Sequence, residues 1–450
     1  MNHVTSSAPR RILFDCSHTF RTDVNTGIQR VVRNLARGVP AVAQQQRVIF
    51  QPVIRSKKDL YGVSLRPRHW IAPSALKKIY RQSLSPLARN LPDSKLRKAL
   101  LPDPGHRGIF RLPTWALQQC EDFAHRTLWG PDSPFEGQKI DVGSHDTLIL
   151  AELCAFHQDR ELLHHFQARG AQVGALIYDL IPWSHPQFCD PRLVAQFRPW
   201  MKLMCETCDF FVSISETTQQ ELQTFARSQT TRRRPAEYRV FTLGADFCQR
   251  KSPAVRVRES VRSFFSVPQQ PTFLTVGTIE PRKNHAMLLD AFELLWRQGC
   301  DVRLCIAGRV NALCQDVAQR ITTSPEFGRR LASFHDLSDE ELGFCYQQAH
   351  AVLTASVAEG FGLPIIEALE HGCRVVASGI PAHREVGKNS CKYFDLNDLH
   401  SLTRMVQELA QTSKQSREAG QVPLHTVDWQ TSSRQFLDAC LAMPTHLAAA

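Results

Sequence analysis

From residue 271 to residue 411 the sequence alternates short apolar runs with longer amphipathic segments, joined by brief polar turns. Such alternation predicts parallel strands connected by helices, with helices on both faces of the sheet. We expect strands at 272–276, 302–307, 331–334, 351–354, 374–377 and 392–394. Together these elements predict one Rossmann-like α/β domain over residues 263–415.

Helix boundaries in this domain are also visible in the sequence. Apolar residues at helical spacing predict a helix over 284–298, and Gly299 supplies its C-terminal stop. Ser338, followed three residues later by Glu341, forms a capping box that predicts the start of another helix. A further helix is expected over 398–411.

The N-terminal half shows the same alternation less regularly. We expect strands at 11–15, 48–54, 147–150, 173–178 and 210–214, and helices over 28–37 and after Ser215. Residues 1–250 are therefore predicted to form a second Rossmann-like domain, interrupted by an insertion at 55–140. The polar junction at 247–267 is the expected hinge. A final helix within 425–445 is expected to return to the N-terminal domain.

The net charge of +11 is concentrated in one segment of the chain. Thirteen basic and three acidic residues lie between Arg55 and Arg107, mixed with apolar side chains such as Trp70, Ile71 and Leu76. A basic amphipathic element of this kind is typical of a segment that lies on an anionic membrane. A solvated insertion remains open, because six prolines interrupt the segment and break any long helix.

Composition also bears on location and on metal binding. No apolar run reaches the roughly 18 residues of a spanning helix. The N-terminus lacks the apolar core of a signal peptide, so we expect a protein that is cytoplasmic or attached peripherally to the inner face of the cell membrane. Fourteen cysteines are too dilute for a disulfide scaffold, which predicts reduced core thiols such as Cys305 and Cys373. Cys205 and Cys208 have the spacing of half a zinc site, but no second pair follows, so buried thiols and no metal are expected.

The segment from Ser356 to Glu367 places carboxylates on both sides of a glycine-containing turn that runs into a helix. Gly360 and Gly362 let the backbone come close to a ligand, and the N–H groups at the helix start favour an anion. Glu359 in the loop and Glu367 in the helix can accept hydrogen bonds from sugar hydroxyls. The pattern predicts a site for a sugar attached to phosphate, with two solvated glutamates as the alternative.

Two adjacent cations, Arg282 and Lys283, stand where the predicted strand 272–276 gives way to a helix. Cations at a helix start are unfavourable to the helix dipole unless an anion binds there. Two of them can neutralise a diphosphate. We therefore predict a phosphate-binding pair, with ordinary surface charge as the alternative.

Several further motifs occur in order along the chain. They are Thr26-Gly27-Ile28-Gln29-Arg30, Tyr178-Asp179-Leu180-Ile181-Pro182, Ile214-Ser215-Glu216-Thr217, Leu243-Gly244-Ala245-Asp246, Gly277-Thr278-Ile279-Glu280-Pro281-Arg282-Lys283-Asn284, Leu337-Ser338-Asp339-Glu340-Glu341-Leu342 and Arg374-Val375-Val376-Ala377-Ser378. Together with the motif at 356–367, they resemble retaining glycosyltransferases of the fourth sequence family, which includes bacterial polysaccharide mannosyl- and rhamnosyltransferases. The resemblance covers most of the chain except residues 55–140. It implies the GT-B architecture, in which two Rossmann-like domains face a cleft and bind acceptor and donor respectively.

The resemblance also implies roles for individual residues. The donor-binding residues that it implies are Gly27, Gly277, Arg282, Lys283, Glu359, Gly360, Phe361, Gly362, Leu363 and Glu367. Glu359 would hold the donor sugar and Glu367 the ribose hydroxyls. Gly27 would let the first domain's helix start reach the diphosphate.

One position departs from the family pattern. Many members have a histidine that contacts the donor sugar where this chain has Tyr178. Tyr178 and Asp179 are therefore predicted sugar or acceptor contacts, although Tyr178 could equally be a core residue at a strand end. His185 is a further candidate, with a surface loop position as its alternative.

Retaining transfer in this architecture is usually drawn as a same-face displacement, in which the leaving phosphate oxygen helps to deprotonate the acceptor hydroxyl. Catalysis then requires no protein nucleophile and rests on positioning and charge, here on Glu359, Arg282 and Lys283. The chain has no Asp-x-Asp element, so we expect transfer without a metal or other cofactor, the nucleotide-sugar being a co-substrate.

The predicted function is transfer of a hexose from a nucleotide-diphospho-sugar, with a leaning to GDP-mannose or GDP-rhamnose, to a glycan or lipid-linked acceptor in cell-surface polysaccharide or lipopolysaccharide synthesis. The alternative is a non-catalytic protein on a degenerate transferase scaffold that binds polyanions, or an anionic membrane through residues 55–107. Nucleic-acid binding is not expected, because the basic segment has few aromatic residues for base stacking. An oxidoreductase is not expected either, because neither domain's first turn offers G-x-G-x-x-G.

Overall fold

The computed structural model describes residues 10–21, 26–56, 59–64, 137–152, 159–230, 236–245, 257–267, 269–412 and 427–442. The chain divides into two compact units, one of residues 51–141 and the other of residues 1–50 and 142–450. Most of the predicted basic insertion at 55–140, and of its segment 55–107, lies outside the described residues. Membrane binding through that segment therefore stays a prediction.

Strands and helices alternate along most of the described chain. The strands are β1 (Arg11–Asp15), β2 (Ile49–Ser56), β3 (Asp59–Gly62), β4 (Lys139–Ile140), β5 (Asp146–Leu150), β6 (Gln172–Ile177), β7 (Phe210–Ser213), β8 (Glu237–Val240), β9 (Thr272–Val276), β10 (Arg303–Ala307), β11 (Leu331–Phe334), β12 (Ala351–Thr354), β13 (Val375–Ser378) and β14 (Cys391–Phe394). The α-helices are α1 (Ser17–Arg21), α2 (Gly27–Gln45), α3 (Asp159–Gln167), α4 (Ile181–Ser184), α5 (Pro191–Thr207), α6 (Glu216–Gln229), α7 (Glu259–Phe265), α8 (His285–Arg297), α9 (Gln315–Thr323), α10 (Asp339–Gln348), α11 (Leu363–Glu370), α12 (Pro381–Gly387), α13 (Leu399–Ala410) and α14 (Trp429–Leu441). The predicted α/β class is confirmed.

One sheet of the larger unit contains β1, β5, β6, β7 and β8, all parallel and in that order. The last helix, α14, packs against α2 and this sheet. The ring centroid of Phe436 lies 5.8 Å from that of Phe14 on β1. A side chain added to Gly38 on α2 would lie 2.3 Å from Ser433 Oγ, so the two helices touch closely. The C-terminal helix thus lies on elements of the first sheet.

The unit of residues 51–141 is antiparallel where the structure describes it. Val53 on β2 pairs with Gly62 on β3, and Leu60 on β3 pairs with Ile140 on β4. These strands break the regular alternation of parallel strands and helices, as the sequence pattern does at the same place.

The second sheet of the larger unit is entirely parallel, with the order β11-β10-β9-β12-β13-β14. Helix α8 covers it by burying Leu288, Phe292 and Leu295 in one core with Phe273 of β9. The strand order reverses between β9 and β12. At such a switch point the loops after the two strands separate and leave a crevice in which parallel sheets bind ligands. The predicted Rossmann-like sheet in the C-terminal half is confirmed, and the candidate motifs follow β9 and β12.

The cysteines singled out in the sequence lie in the interior of the protein. Cys205, Cys208, Cys305 and Cys373 are buried. In the described ranges, no three residues of the types His, Cys, Asp and Glu come together as a metal site would require. None of the helices that the structure describes is both long and apolar enough to cross a membrane.

Candidate functional site

Two loops form the candidate site, one after β9 and one after β12. The first contains a 3-10 turn at Pro281–Lys283 and enters α8 through Asn284, whose φ of 53° is left-handed. Asparagine tolerates that conformation better than most residues. The Val357 N–H in the second loop donates to the Arg282 carbonyl at 2.8 Å. The sheet's switch point therefore holds the two predicted motifs against each other.

Glu359 lies between the two predicted phosphate-binding cations. Its Oε2 is 2.5 Å from Arg282 Nη1, and its Oε1 accepts from Lys283 Nζ. Ser356 Oγ also donates to Oε1, at 2.8 Å. Burial opposes ionisation of the Glu359 carboxyl, but the charges of Arg282 and Lys283 outweigh it and hold its pKa well below the usual range. The Glu359 side chain is therefore mostly buried, and its two cationic partners favour the ionised form of its carboxyl.

Arg282 is surrounded by carboxylates. Besides Glu359, its guanidinium lies 2.6 Å from Glu280 Oε1 and donates to the Ala358 carbonyl at 3.1 Å. Burial would lower the pKa of Arg282, but Glu359, Glu280 and Asp179 together raise it further above its ordinary value. Lys283 packs its stem on Gly277, since a Cβ added there would lie 3.3 Å from Lys283 Cε. Both cations are thus held in place by contacts on several sides.

The glycine turn between Glu359 and α11 lies against the first sheet. A Cβ added to Gly360 would fall 1.8 Å from the Tyr178 carbonyl oxygen, a clash that explains why glycine stands there. Gly362 has a φ of 107°, which a side chain would strain. Phe361 between them is buried. The turn thus brings backbone from both sheets together at the entrance of α11.

Two helix starts meet beside this turn. Gly27 begins α2 and Leu363 begins α11. A Cβ on Gly27 would lie 3.6 Å from Leu363 Cδ1, so the two N-termini are neighbours. Their first-turn N–H groups and dipoles favour an anion in this place.

Glu367, the second predicted carboxylate, is buried on α11. Its Oε2 accepts from the Tyr346 hydroxyl at 2.6 Å. Its Oε1 lies 3.0 Å from Arg30 Nη2 without hydrogen-bond geometry, so that contact is an ion pair. Arg30 belongs to α2, and Glu367 therefore also joins the two sheets.

Tyr178, Asp179 and His185 lie at the end of β6 and beyond it. The Tyr178 hydroxyl is buried and donates to the Ala151 carbonyl at 2.8 Å. Asp179 Oδ1 accepts from the Ile181 N–H at 3.1 Å, and burial raises the pKa of its carboxyl although Arg282 opposes this. His185 follows α4, and its Nδ1 lies 2.9 Å from the Oγ of Ser184, the last residue of that helix. The structure thus places Tyr178 as a strand-end core residue and Asp179 near Arg282, while their sugar contacts stay predictions.

Another carboxylate near Asp179 was not predicted from the sequence. Glu221 is half-buried on α6. Burial, together with the charge of Asp179, raises the pKa of Glu221 to about 7. Its protonation therefore changes near neutral pH, unlike that of Glu359.

The carboxyl end of β5 carries a further buried carboxylate, Glu152. It accepts hydrogen bonds from the backbone N–H of His18 at 2.7 Å and of Thr19 at 2.9 Å, and from the Thr19 hydroxyl. Burial raises the pKa of Glu152, against the effect of these hydrogen bonds. His18 is half-exposed, with Nδ1 3.2 Å from Gln29 Nε2. The first sheet therefore presents polar groups suited to binding hydroxyls at its own carboxyl end.

Sequence reasoning did not identify five residues of this arrangement: Glu280, Arg30, Tyr346, Glu152 and Glu221. Signals existed for two of them. Glu280 stands two residues before Arg282, and Arg30 ends the first of the recognised motifs. Tyr346 and Glu152 lie far from their partners in the sequence, so no local pattern indicates them.

Two sheets of parallel strands, with a cation pair and carboxylates at the switch point of the second, agree with the GT-B architecture that the sequence resemblance implies. Residues 257–420 match the family described as glycosyl transferases group 1. The chain is 25% identical over 396 residues to the serotype-specific mannosyltransferase WbdA of Escherichia coli, covering 85% of this chain and 45% of that protein. It is 23% identical to the O-antigen chain mannosyltransferase RfbU of Salmonella typhimurium, covering 52% of this chain and 60% of that protein. The chain thus spans less than two thirds of either relative.

Comparison with solved structures gives the same fold. The Anabaena Alr3699/HepE structure, in complex with UDP and glucose, superposes with a TM-score of 0.55. It covers 96% of this chain and 100% of that one, at 15% sequence identity. At this identity the likeness shows the fold alone. The predicted resemblance to GT-B glycosyltransferases is confirmed, and the roles of individual residues stay predictions.

Proposed function

We propose that this chain transfers a hexose from a nucleotide-diphospho-sugar to a glycan or lipid-linked acceptor. The observation that carries the proposal is the cluster of Arg282, Lys283 and Glu359 at the switch point of the second sheet. The cations and the two adjoining helix starts suit a diphosphate. Glu359 suits the sugar hydroxyls, and Glu367 suits the ribose.

GDP-mannose is the donor that we favour, and GDP-rhamnose is the second choice. The support comes from the names of the two relatives given above, both of which are mannosyltransferases. One of those names refers to O-antigen chains, which supports an acceptor in cell-surface polysaccharide or lipopolysaccharide synthesis.

Transfer with retention of anomeric configuration is part of the proposal. The bond between the anomeric carbon and the phosphate oxygen breaks, and the acceptor oxygen attacks from the same face. The acceptor proton passes to the leaving phosphate, and the product is a glycoside and a nucleoside diphosphate. Arg282 and Lys283 stabilise the negative charge that develops on that phosphate, so the reaction proceeds without a metal ion.

The non-catalytic alternative is not favoured. A degenerate scaffold would have no need to keep Arg282, Lys283, Glu359 and Glu367 together. These four side chains are buried or partly buried, and each is bound to another of the four or to a neighbouring protein group.

The test is a transfer assay with purified protein, GDP-mannose and a mannose-terminated soluble acceptor, with GDP-rhamnose and UDP-glucose as competing donors. We expect a glycoside with the donor's anomeric configuration by NMR, and equal rates with and without EDTA. Arg282→Ala should abolish the product. An inverted anomer, or loss of activity with EDTA, would refute the retaining, metal-independent mechanism.

Peripheral attachment to the inner face of the cell membrane through residues 55–107 is a separate part of the proposal. Liposome flotation with anionic vesicles tests it by comparing the intact chain with a deletion of those residues. The intact chain should float with the vesicles and the deletion should not. Equal flotation of both forms would contradict membrane attachment through this segment.

A further inference from the structure

The start of α6 touches the turn that carries Glu359. Ser215, the N-cap of α6, donates from Oγ to the Gly360 carbonyl at 2.6 Å, and Thr218 Oγ1 lies 3.1 Å from the same oxygen. Both side chains are buried. Two residues at the start of α6, the helix between β7 and β8, therefore hold Gly360, the residue that follows Glu359.

The same helix start is capped by a carboxylate from the second sheet. Glu385 on α12 accepts from the Glu216 N–H at 2.7 Å and from the Thr217 N–H at 2.8 Å. It also accepts from Thr217 Oγ1 at 2.6 Å. First-turn N–H groups of a helix have no partner within the helix, and a negative charge beside them is favourable. Glu385 thus ties α6 to α12 as a cap supplied from 168 residues away.

Helix α12 also contacts the turn that follows Glu359, through His383. His383 is buried, with its Nδ1 3.0 Å from Ser378 Oγ, and it lies 3.2 Å from the position that a Cβ on Gly362 would take. Ser378 Oγ in turn donates to the Ser356 carbonyl at 2.6 Å. Since Ser356 Oγ donates to Glu359, one chain of contacts runs from α12 to the Glu359 carboxylate.

We propose that Ser215, Thr218 and Glu385 form a clamp whose function is to position Glu359 for transfer. The proposal rests on the function proposed above. All three are positioning residues, because their polar atoms are engaged by protein groups and they act on the reaction through Gly360 and α12. The clamp thus joins α6, which connects two strands of the first sheet, to the loop after β12 that carries Glu359.

The clamp predicts a particular division between binding and turnover. The nucleotide is held by Arg282, Lys283 and Glu367, none of which the clamp contacts through the bonds described. Displacing a positioned group by about 1 Å can cost on the order of 10²-fold in rate. Loss of a clamp contact should therefore lower the rate of transfer about 10- to 100-fold, with nucleotide affinity changed less than about twofold.

Three variants and one control test this. Glu385→Ala removes both acceptor oxygens from α6, and Ser215→Ala removes the donor to Gly360. Ser215→Thr keeps the hydroxyl and should restore the rate. Glu408→Gln, a charge removal on an exposed residue of α13, is the matched control and should behave as wild type.

Each variant is followed by kcat, by nucleotide titration and by hydrogen–deuterium exchange. In Glu385→Ala we expect faster exchange at the amides of residues 216–217 and across 356–362. The exchange result does not depend on enzymatic activity, so it tests the clamp even if wild type binds no nucleotide. Failure of wild type to bind a nucleotide would contradict the proposed function but not the clamp. Unchanged exchange across 356–362 in both Ala variants would overturn the clamp. So would a fall in nucleotide affinity as large as the fall in kcat.

Discussion

The carboxyl ends of the two sheets hold their buried carboxylates in different ways. Glu359, after β12, is bound by two cations, Arg282 and Lys283. Glu152, after β5, is bound by backbone N–H groups and a hydroxyl from residues 18–19. The pKa values move in opposite directions: cations hold that of Glu359 well below its usual range, and burial raises that of Glu152.

This difference indicates different ligands. Cations paired with a carboxylate can exchange it for the oxygens of a diphosphate, and the carboxylate can then accept hydrogen bonds from sugar hydroxyls. Glu152 is bound by backbone N–H groups and a hydroxyl, and the ring nitrogen Nδ1 of His18 lies 3.9 Å from its Oε1. Such a set of groups suits a hydroxyl-rich molecule. On the proposed function, we therefore expect the charged donor at the second sheet and the acceptor at the first.

Among the variants that test this comparison, Glu359→Gln has the largest expected effect. The substitution keeps the shape but removes the charge that faces both cations and the sugar, so turnover should fall about 10²- to 10³-fold. Glu326→Gln is the matched control, because Glu326 also pairs with two cations, Arg329 and Arg330, but before β11 at the opposite edge of the sheet. Steady-state kinetics of both variants measure whether the fall in turnover is specific to Glu359. An equal loss in the two would show that general stability, rather than the site, is responsible.

Gly360→Ala tests the close approach of the two sheets. The added Cβ would lie 1.8 Å from the Tyr178 carbonyl oxygen, so backbone must move, at a cost of about 3 kcal/mol in the free energy of unfolding. Gly143→Ala meets nothing within 4 Å and should cost less than about 0.5 kcal/mol. Urea denaturation measures both. If Gly360→Ala is as stable as Gly143→Ala, the turn does not lie on β6 as described.

A pH dependence is expected from Glu221. Its pKa is about 7 in the folded chain and 4.5 as the ordinary value, so the stability that its neutral form provides is present below pH 4.5 and is lost as the pH rises through 7. Glu221→Gln stays neutral and avoids that loss, which we expect to be about 2 kcal/mol. Denaturation at pH 5 and pH 8 should show wild type losing more than the variant. Glu408→Gln is the control and should lose as much stability between pH 5 and pH 8 as wild type does. If Glu221→Gln also loses as much as wild type, the raised pKa is contradicted.

Tyr178→Phe should have the smallest effect. It removes the hydrogen bond to the Ala151 carbonyl and should cost about 1 kcal/mol in stability. Turnover should stay within about threefold of wild type if the hydroxyl serves only the core, since a lost transition-state contact costs tenfold or more. A larger fall in turnover would assign Tyr178 to the sugar.

Most of the second sheet could be predicted because its strands and turns are marked locally. The predicted strands at 272–276, 331–334 and 351–354 agree with the structure, and the capping box of Ser338 and Glu341 begins a helix as expected. The glycines and charges of the site were also recognisable from their order along the chain.

What could not be predicted depends on partners distant in the sequence. No local pattern indicates that Glu367 pairs with Arg30, 337 residues away, or that Glu385 caps α6. Tyr178 shows the same limit, because the sequence left a sugar contact and a core position equally open, and only the structure placed its hydroxyl on the Ala151 carbonyl. Such contacts arise from how the sheets pack, which periodicity does not encode.

The central claim is that the switch point of the second sheet binds a nucleoside diphosphate. Isothermal titration of wild type and Glu367→Ala with GDP, UDP, ADP and dTDP tests it most directly. We expect at least one nucleotide, GDP by preference, to bind wild type, and Glu367→Ala to weaken that binding at least tenfold because its ribose acceptor is lost, a change of about 1.4 kcal/mol. Binding of none of the four nucleotides to wild type would contradict the claim.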